Sequence, residues 1–184
     1  MKMELSFLYS IPRTEFLDSF FFFFTTLPGS IGQLWLLLGI VLLIFKKTRK
    51  TGAAILLSYV GVMLFGELLL KHVVSRLRPC QIDQAFAMLV ERPTSSSFPS
   101  THSAFAFGAA TAIFMNYKKA GVAAFIVAAL VAFSRLYLFL HFPTDVLCGI
   151  VLGIVTGIAA VRICGLAAKK IRSKNAEGHT KDTD

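Results

Sequence analysis

Three short stretches of this chain hold most of the side chains capable of chemistry. The first runs from Lys71 to Pro79 and places Lys71, Arg76 and Arg78 ahead of a proline. Lys71 and Arg78 are seven positions apart, close to two helical turns, so both face one way if a helix continues between them. Pro79 ends such a helix because it cannot donate to the backbone ladder. A guanidinium offers phosphate oxygens a planar fork of donors, and lysine adds a point charge. Arg76 is offset and could contact the same anion from the loop. Glu67, four residues before Lys71, is placed to pair with it along a helix, in a structural role. The competing explanation is a set of basic residues snorkelling at a helix end. The second stretch is Ser97-Phe98-Pro99-Ser100-Thr101-His102-Ser103. It opens an apolar helix, whose first turn carries free amides and positive partial charge and so suits a phosphate. Ser100 adds a hydroxyl there and His102 an imidazole, although ordinary helix caps use serine and threonine too. In the third stretch, His141 and Asp145 flank Pro143, a residue suited to the first turn of the following helix. A carboxylate that reaches back to one ring nitrogen fixes the tautomer and frees the other nitrogen to attack, the logic of an activated nucleophile. Arg135 lies about two turns before His141 in an otherwise apolar stretch. An arginine there needs an anionic partner, and a phosphate would serve.

The elements that carry these residues are apolar. The chain has 184 residues, 55% of them hydrophobic and 16% charged, which marks a membrane protein of one domain. Runs without charge, at 31–45, 51–66, 120–134 and 146–161, predict spans over 30–45, 51–70, 120–140 and 143–164. A fifth span is predicted over 101–117, and a sixth over 14–27, where Phe20 to Phe24 sit beside Asp18. The expectation is an all-α, polytopic membrane bundle of about six transmembrane helices. No small-residue cleavage site follows the phenylalanines, so the N-terminal segment reads as retained. The membrane domain is expected over 1–168, followed by a polar, disordered cytoplasmic tail at 169–184. The three cysteines show no metal-ligand spacing, and neither a metal nor a cofactor is expected. The composition directs the protein to the bilayer and to no nucleic acid.

The net charge of +9 is informative once mapped. Lys46, Lys47, Arg49 and Lys50 fill one short link, Lys118 and Lys119 another, and Arg162, Lys169, Lys170, Arg172 and Lys174 follow the last span. With six helices these clusters share the cytoplasmic side with both termini, Lys2 and Arg13 included. The segment 71–100 then faces outward, yet it is basic, with Lys71, His72, Arg76, Arg78 and Arg92 against Asp83 and Glu91. Cations in that position point to a bound anion. Gly149, Gly153 and Gly157 make a small-residue stripe suited to close packing, first within the chain; an oligomer is not indicated.

Together, Lys71-x6-Arg78-Pro79, Pro99-Ser100-Thr101-His102 and Ser134-Arg135-x5-His141-x3-Asp145 closely resemble the three-part signature of the type 2 phosphatidic acid phosphatases, which vanadium haloperoxidases share. The resemblance runs from about Phe16 to Gly165 and is strongest to the short bacterial members. It implies a lipid phosphate or pyrophosphate phosphatase of the bacterial cytoplasmic membrane that works without metal at the outer face. His141 would become a phosphohistidine, Asp145 would orient it, and His102 would protonate the leaving oxygen. Lys71, Arg78, Ser100, Thr101 and Arg135 would hold the phosphate. Undecaprenyl pyrophosphate and phosphatidylglycerol phosphate are examples of such substrates. The sequence departs from the family at Thr101, where a glycine is usual; a β-branched residue is stiffer and bulkier beside a phosphate. Two other readings stay open. One is transfer of the phosphate to a lipid or sugar acceptor. The other is non-catalytic binding or transport of anionic lipid, which would need the cations but not the His141–Asp145 pair.

Overall fold

The computed structural model describes residues 2–26 and 31–181. The helices are α1 (Lys2–Tyr9), α2 (Glu15–Thr26), α3 (Ile31–Ile44), α4 (Arg49–Val62), α5 (Lys71–Val74), α6 (Pro79–Ile82), α7 (Thr101–Asn116), α8 (Lys118–Tyr137) and α9 (Pro143–Lys181). A π-helical stretch, Met63–Leu70, joins α4 to α5. No strand occurs among the described residues. Among the described residues three stretches are long and apolar enough to cross a membrane, namely Arg49–Ile82, Lys118–Tyr137 and Pro143–Lys170, and Gly32–Ile44 is a shorter apolar helix. Their exposed faces carry residues such as Leu64, Phe65, Val122, Ile126, Val151 and Val155, as expected of surfaces that meet lipid.

α7 is the centre of the bundle and packs against α3, α4, α8 and α9. Small side chains make this close packing possible; Ala104, Ala106, Ala110, Ala112 and Ala128 are fully buried. α7 and α9 run parallel and nearly touch along their backbones. A Cβ added to Gly149 would lie 2.3 Å from the Ser100 carbonyl oxygen, and one on Gly153 would lie 2.4 Å from that of Ala104. The glycine stripe therefore packs inside the chain. Ser58 and Thr156 add a hydroxyl pair at 3.1 Å between α4 and α9.

The two ends of the bundle differ. At one, Tyr117 donates its hydroxyl to the Lys47 carbonyl (2.8 Å), which brings the Lys46–Lys47 link beside the start of α8 at Lys118. At the other, Tyr137, Phe139 and Phe142 form a second buried cluster with Leu8, Phe21 and Cys80, and Phe86 stacks on Phe139. All three chemical stretches gather at this second end.

The N-terminal segment departs from the sequence expectation. α2 has 12 residues and is about 18 Å long by the helical rise, against a hydrocarbon core of about 30 Å. Its contacts fall near the final turn of α8: Asp18 accepts the Tyr137 hydroxyl at 2.6 Å, Phe21 packs on Phe133 and Tyr137, and Thr25 meets Arg135. The described residues of α2 thus meet α8 at the site end, and the described helices do not establish a sixth crossing. α1 lies at the same end, since Glu4 meets Arg76 and Thr144 and Tyr9 meets Asp83. Lys2 and Arg13 therefore stand apart from the Lys46–Lys50 and Lys118–Lys119 clusters. Asp18 is a satisfied anchor, bonded to Tyr137 and Arg13, in a segment whose Phe21 packs against α8. At the C-terminal side, α9 continues through the polar segment to Lys181. Ala167, Ala168, Lys169 and Lys170 are good helix formers, and the preceding turns supply the nucleus.

The glycine stripe makes a sharp prediction. Gly153→Ala should lower stability by about 1–3 kcal/mol through overpacking against α7. Gly165→Ala, where nothing lies within 4 Å, should leave it unchanged or slightly raised. Thermal melts in detergent distinguish the two, and equal effects would refute the packing argument.

Candidate active site

The first stretch reaches the site by a route that its spacing does not reveal. The helix stops at Val74, and Ser75 takes a left-handed conformation (φ 46°). Three residues later, Arg78 is the extended residue ahead of α6, whose first position is Pro79. The Arg78 amide donates to the Gln81 side chain at 2.8 Å, closing that short turn. Lys71 and Arg78 therefore converge across a chain reversal and do not share a helical stripe. The π-helical stretch places Glu67 and Lys71 together at 2.8 Å. Such stretches are rare and often mark functional positions.

Lys71, Arg78, His102, Arg135 and His141 line one cavity of about 470 Å³, together with Glu67. Arg78 is 5% exposed and Arg135 3%. Arg78 spends its donors on carbonyls and a hydroxyl, at Ser95 O (2.9 Å), Ser95 Oγ (3.0 Å) and Leu140 O (3.1 Å). Arg135 donates to Ser134 Oγ (3.0 Å) and Thr25 Oγ1 (2.8 Å). Among the described residues neither guanidinium meets a carboxylate. Two buried cations without counter-charge are costly unless an anion completes the site.

His141 follows α8 through Leu138–Leu140, a buried turn in which Phe139 has φ 59°. Its tautomer follows from its partners. Nδ1 lies 2.7 Å from the Ser97 carbonyl oxygen, which can only accept, so Nδ1 carries the proton. Nε2 lies 3.0 Å from Arg78 Nη1, which can only donate, so Nε2 presents a lone pair. Burial above all, and then the Arg78 cation, push the imidazole well below its ordinary value. His141 is a neutral base aimed at the cavity.

Asp145 acts at one remove. Its Oδ2 is 3.9 Å from His141 Nδ1 and accepts instead from Ser97 Oγ and from the Phe142 amide (2.8 Å). The carboxylate thus holds the residue that holds the histidine. The sequence offers Asp145 as the direct partner of the ring; the structure gives that place to a backbone carbonyl. Ser97 opens the second stretch but has no side-chain pattern that would disclose this use of its C=O. Arg76, expected as an accessory phosphate contact, instead pairs with Asp145 (2.8 Å) and Glu4 (2.7 Å). The Ser100 hydroxyl pairs with Ser103 (2.9 Å) and does not line the cavity; Ser100 stands at the N-cap position of α7 without a side-chain capping bond. Thr101 is buried at the start of α7 and donates to Glu67 Oε1 at 2.7 Å, so it reaches the cavity wall through Glu67 and does not itself line the cavity.

Comparison with known proteins follows the same lines. The sequence model of the PAP2 superfamily matches residues 52–167. An undecaprenyl-diphosphatase of Sulfolobus acidocaldarius is 35% identical over 130 residues, covering 70% of this chain and 63% of that protein. A lipid A 1-phosphatase of Rhizobium johnstonii is 30% identical over 172 residues, covering 78% of this chain and 68% of that protein. The chain thus spans under two thirds of the Sulfolobus relative. Among solved structures, LpxE of Aquifex aeolicus superposes with a TM-score of 0.68 at 31% identity, covering 86% of this chain and 92% of that one. The PAP2-type phosphatidylglycerolphosphate phosphatase of Bacillus subtilis gives 0.70 at 28% identity, covering 91% and 86%.

Two measurements test the site. The unfolded chain binds a proton on His141 near pH 6.5, whereas the folded chain keeps it neutral, so the unfolded state holds more protons below that pH. Stability should therefore fall as pH drops below about 6.5, by up to about 1.4 kcal/mol per pH unit for this residue. Melting temperatures in detergent should show that slope, and His141→Asn should make it shallower. Thr101→Gly, which removes a part-buried hydrogen bond to Glu67, should cost about 1–2 kcal/mol of stability while retaining turnover. A large loss of turnover in a folded Thr101→Gly variant would place Thr101 in the chemistry.

Proposed function

Because the chain belongs to the PAP2 superfamily, we propose that it hydrolyses a membrane lipid phosphate or diphosphate, with His141 as nucleophile. The observation that carries this reading is the lone pair of His141 Nε2, held by Arg78 in a cavity lined by Lys71, Arg135 and His102. An entering phosphate takes over the Arg78 donor and leaves Nε2 facing phosphorus. Lys71, Arg78 and Arg135 then neutralise the oxygens as charge redistributes, the main demand of phosphoryl transfer. The amides of the first turn of α7 add donors. Nε2 forms the N–P bond, the P–O bond to the lipid breaks, and His102 delivers a proton to the departing oxygen. Water then attacks the phosphohistidine, gives a proton back to His102 and releases inorganic phosphate, and the lone pair returns to His141.

In the membrane, α3, the α4-to-α5 rod, α7, α8 and α9 make five crossings, with α1 and α2 on the face that holds the site. The Lys46–Lys50 and Lys118–Lys119 links occupy the opposite end. The bias of short basic loops puts that end in the cytoplasm and the site outside. A lipid headgroup reaches the cavity from the outer leaflet while its chains stay in the bilayer. The named activity of the Sulfolobus relative makes a polyprenyl diphosphate the first substrate to try, and the Rhizobium relative adds lipid A phosphates.

Phosphate release from undecaprenyl diphosphate, lipid A, phosphatidylglycerol phosphate and phosphatidic acid, in detergent with EDTA, tests the reading. Wild type should release phosphate from at least one. His141→Ala should lose at least about three orders of magnitude in rate. Turnover that survives His141→Ala, or that EDTA abolishes, would contradict the mechanism.

A further inference from the structure

Arg76 has no place in the chemistry just described, yet its guanidinium is paired with two carboxylates. Nη1 donates to Asp145 Oδ1 (2.8 Å) and to Thr144 Oγ1 (2.7 Å), and Nη2 donates to Glu4 Oε2 (2.7 Å). The guanidinium lies over the Phe142 ring, 4.1 Å from its centroid. Thr144 in turn donates to the second Glu4 oxygen at 2.6 Å. Arg76 also lines a neighbouring cavity of about 410 Å³ and not the one that His141 faces. With its Nη donors committed to two carboxylates and a hydroxyl, it has little left to offer a phosphate.

Its connections run to the nucleophile instead. The Arg76 carbonyl accepts the Ser97 amide at 2.8 Å, and the Arg76 amide donates to Ser96 Oγ at 3.1 Å. Through its guanidinium it fixes Asp145, whose other oxygen takes the Ser97 hydroxyl. Ser97 is therefore held from both its amide and its side chain by groups that Arg76 positions, and the Ser97 carbonyl holds His141 Nδ1. Asp145 is fully buried, so Arg76 is also the cation that its carboxylate pairs with and is held by. Loss of Arg76 would leave that carboxylate free to swing the 3.9 Å gap toward the ring.

We propose that Arg76 is a positioning residue for the nucleophile and that Glu4, on the N-terminal helix, completes its clamp, so that α1 is part of the catalytic scaffold. The inference rests on His141 acting as the nucleophile. It assigns a share of the rate to Glu4, outside the three signature stretches: α1 docks on the site face and holds Arg76 toward Asp145.

The test uses the full chain and four variants, Arg76→Gln, Arg76→Lys, Glu4→Gln and the Glu4→Gln/Arg76→Gln pair. Steady-state kinetics on the preferred lipid phosphate are read beside imidazole nitrogen-15 spectra of histidine-labelled protein, with His141 assigned by His141→Asn. In Arg76→Gln, kcat should fall about 10- to 100-fold while KM stays within about threefold, as for a misplaced reacting group. Arg76→Lys, which can serve one carboxylate but not two, should recover part of the loss. Glu4→Gln should fall less, and the pair should be no worse than Arg76→Gln alone. The spectra should show a protonated Nδ1 on His141 in wild type and a tautomer mixture in Arg76→Gln. A raised KM with kcat retained would make Arg76 a phosphate ligand and overturn the proposal. An unchanged His141 spectrum in Arg76→Gln would overturn it as well. Glu4→Gln sits at a partly exposed position, so the clamp can be judged even if Arg76 variants fold poorly. Wild type that releases no phosphate from any lipid would sink the phosphatase reading alone, and the spectra would still decide the clamp.

Discussion

Which nitrogen of His141 faces the cavity is settled by one bond, from Nδ1 to the carbonyl of Ser97. A carbonyl cannot donate, so the opposite nitrogen must keep its lone pair. Most of the surrounding architecture serves to hold that carbonyl still. Asp145 grips the Ser97 hydroxyl, and its own carbonyl takes the Ser100 amide at 3.0 Å, so the starts of α7 and α9 are tied together at the level of the site. The glycine stripe then fixes the axial register of the same two helices. A shift of one residue between α7 and α9 would break the ties that hold Ser97, and the imidazole would lose its orientation.

The charge balance follows a second constraint. A cavity near lipid that collects Lys71, Arg78 and Arg135 would repel itself apart if each cation were left bare. Lys71 is paired with Glu67, and Thr101 supports that carboxylate from the other side. Arg78 and Arg135 are instead solvated by carbonyls and hydroxyls, which hold them without cancelling them. The result is a preorganised pair of guanidiniums whose net charge remains available to a ligand. Thr101 is explained in the same terms. Its hydroxyl strengthens the wall around Lys71, and its methyl group fits beside Gly66, where an added Cβ would already be 3.2 Å away.

Much of this was legible in the sequence because it rests on side-chain type. Lys71, Arg78, His102, Arg135 and His141 announce themselves as ionisable groups among apolar runs, and the structure brings all five into one cavity. Asp145 was legible as a partner of the nucleophile but not as an indirect one, because a backbone carbonyl leaves no trace in composition. The partners of Arg76 were hidden by distance, since Glu4 lies 72 positions away and on a helix that reads as weakly apolar. The left-handed Ser75 was hidden too, because serine gives no strong signal for that conformation. The docking of α2 was hidden for a related reason: nothing in a run of five phenylalanines tells that Phe21 covers the site end of α8.

The contact between Glu4 and Thr144 joins residues 140 positions apart. A ribosome delivers the first of them long before the last. The N-terminal helix must therefore wait for its Thr144 partner until α8 has crossed and α9 has begun. Contacts of such long range are the slowest to form. Assembly of the site is thereby made the closing event of synthesis, and a nascent or truncated chain carries its cations without an oriented nucleophile.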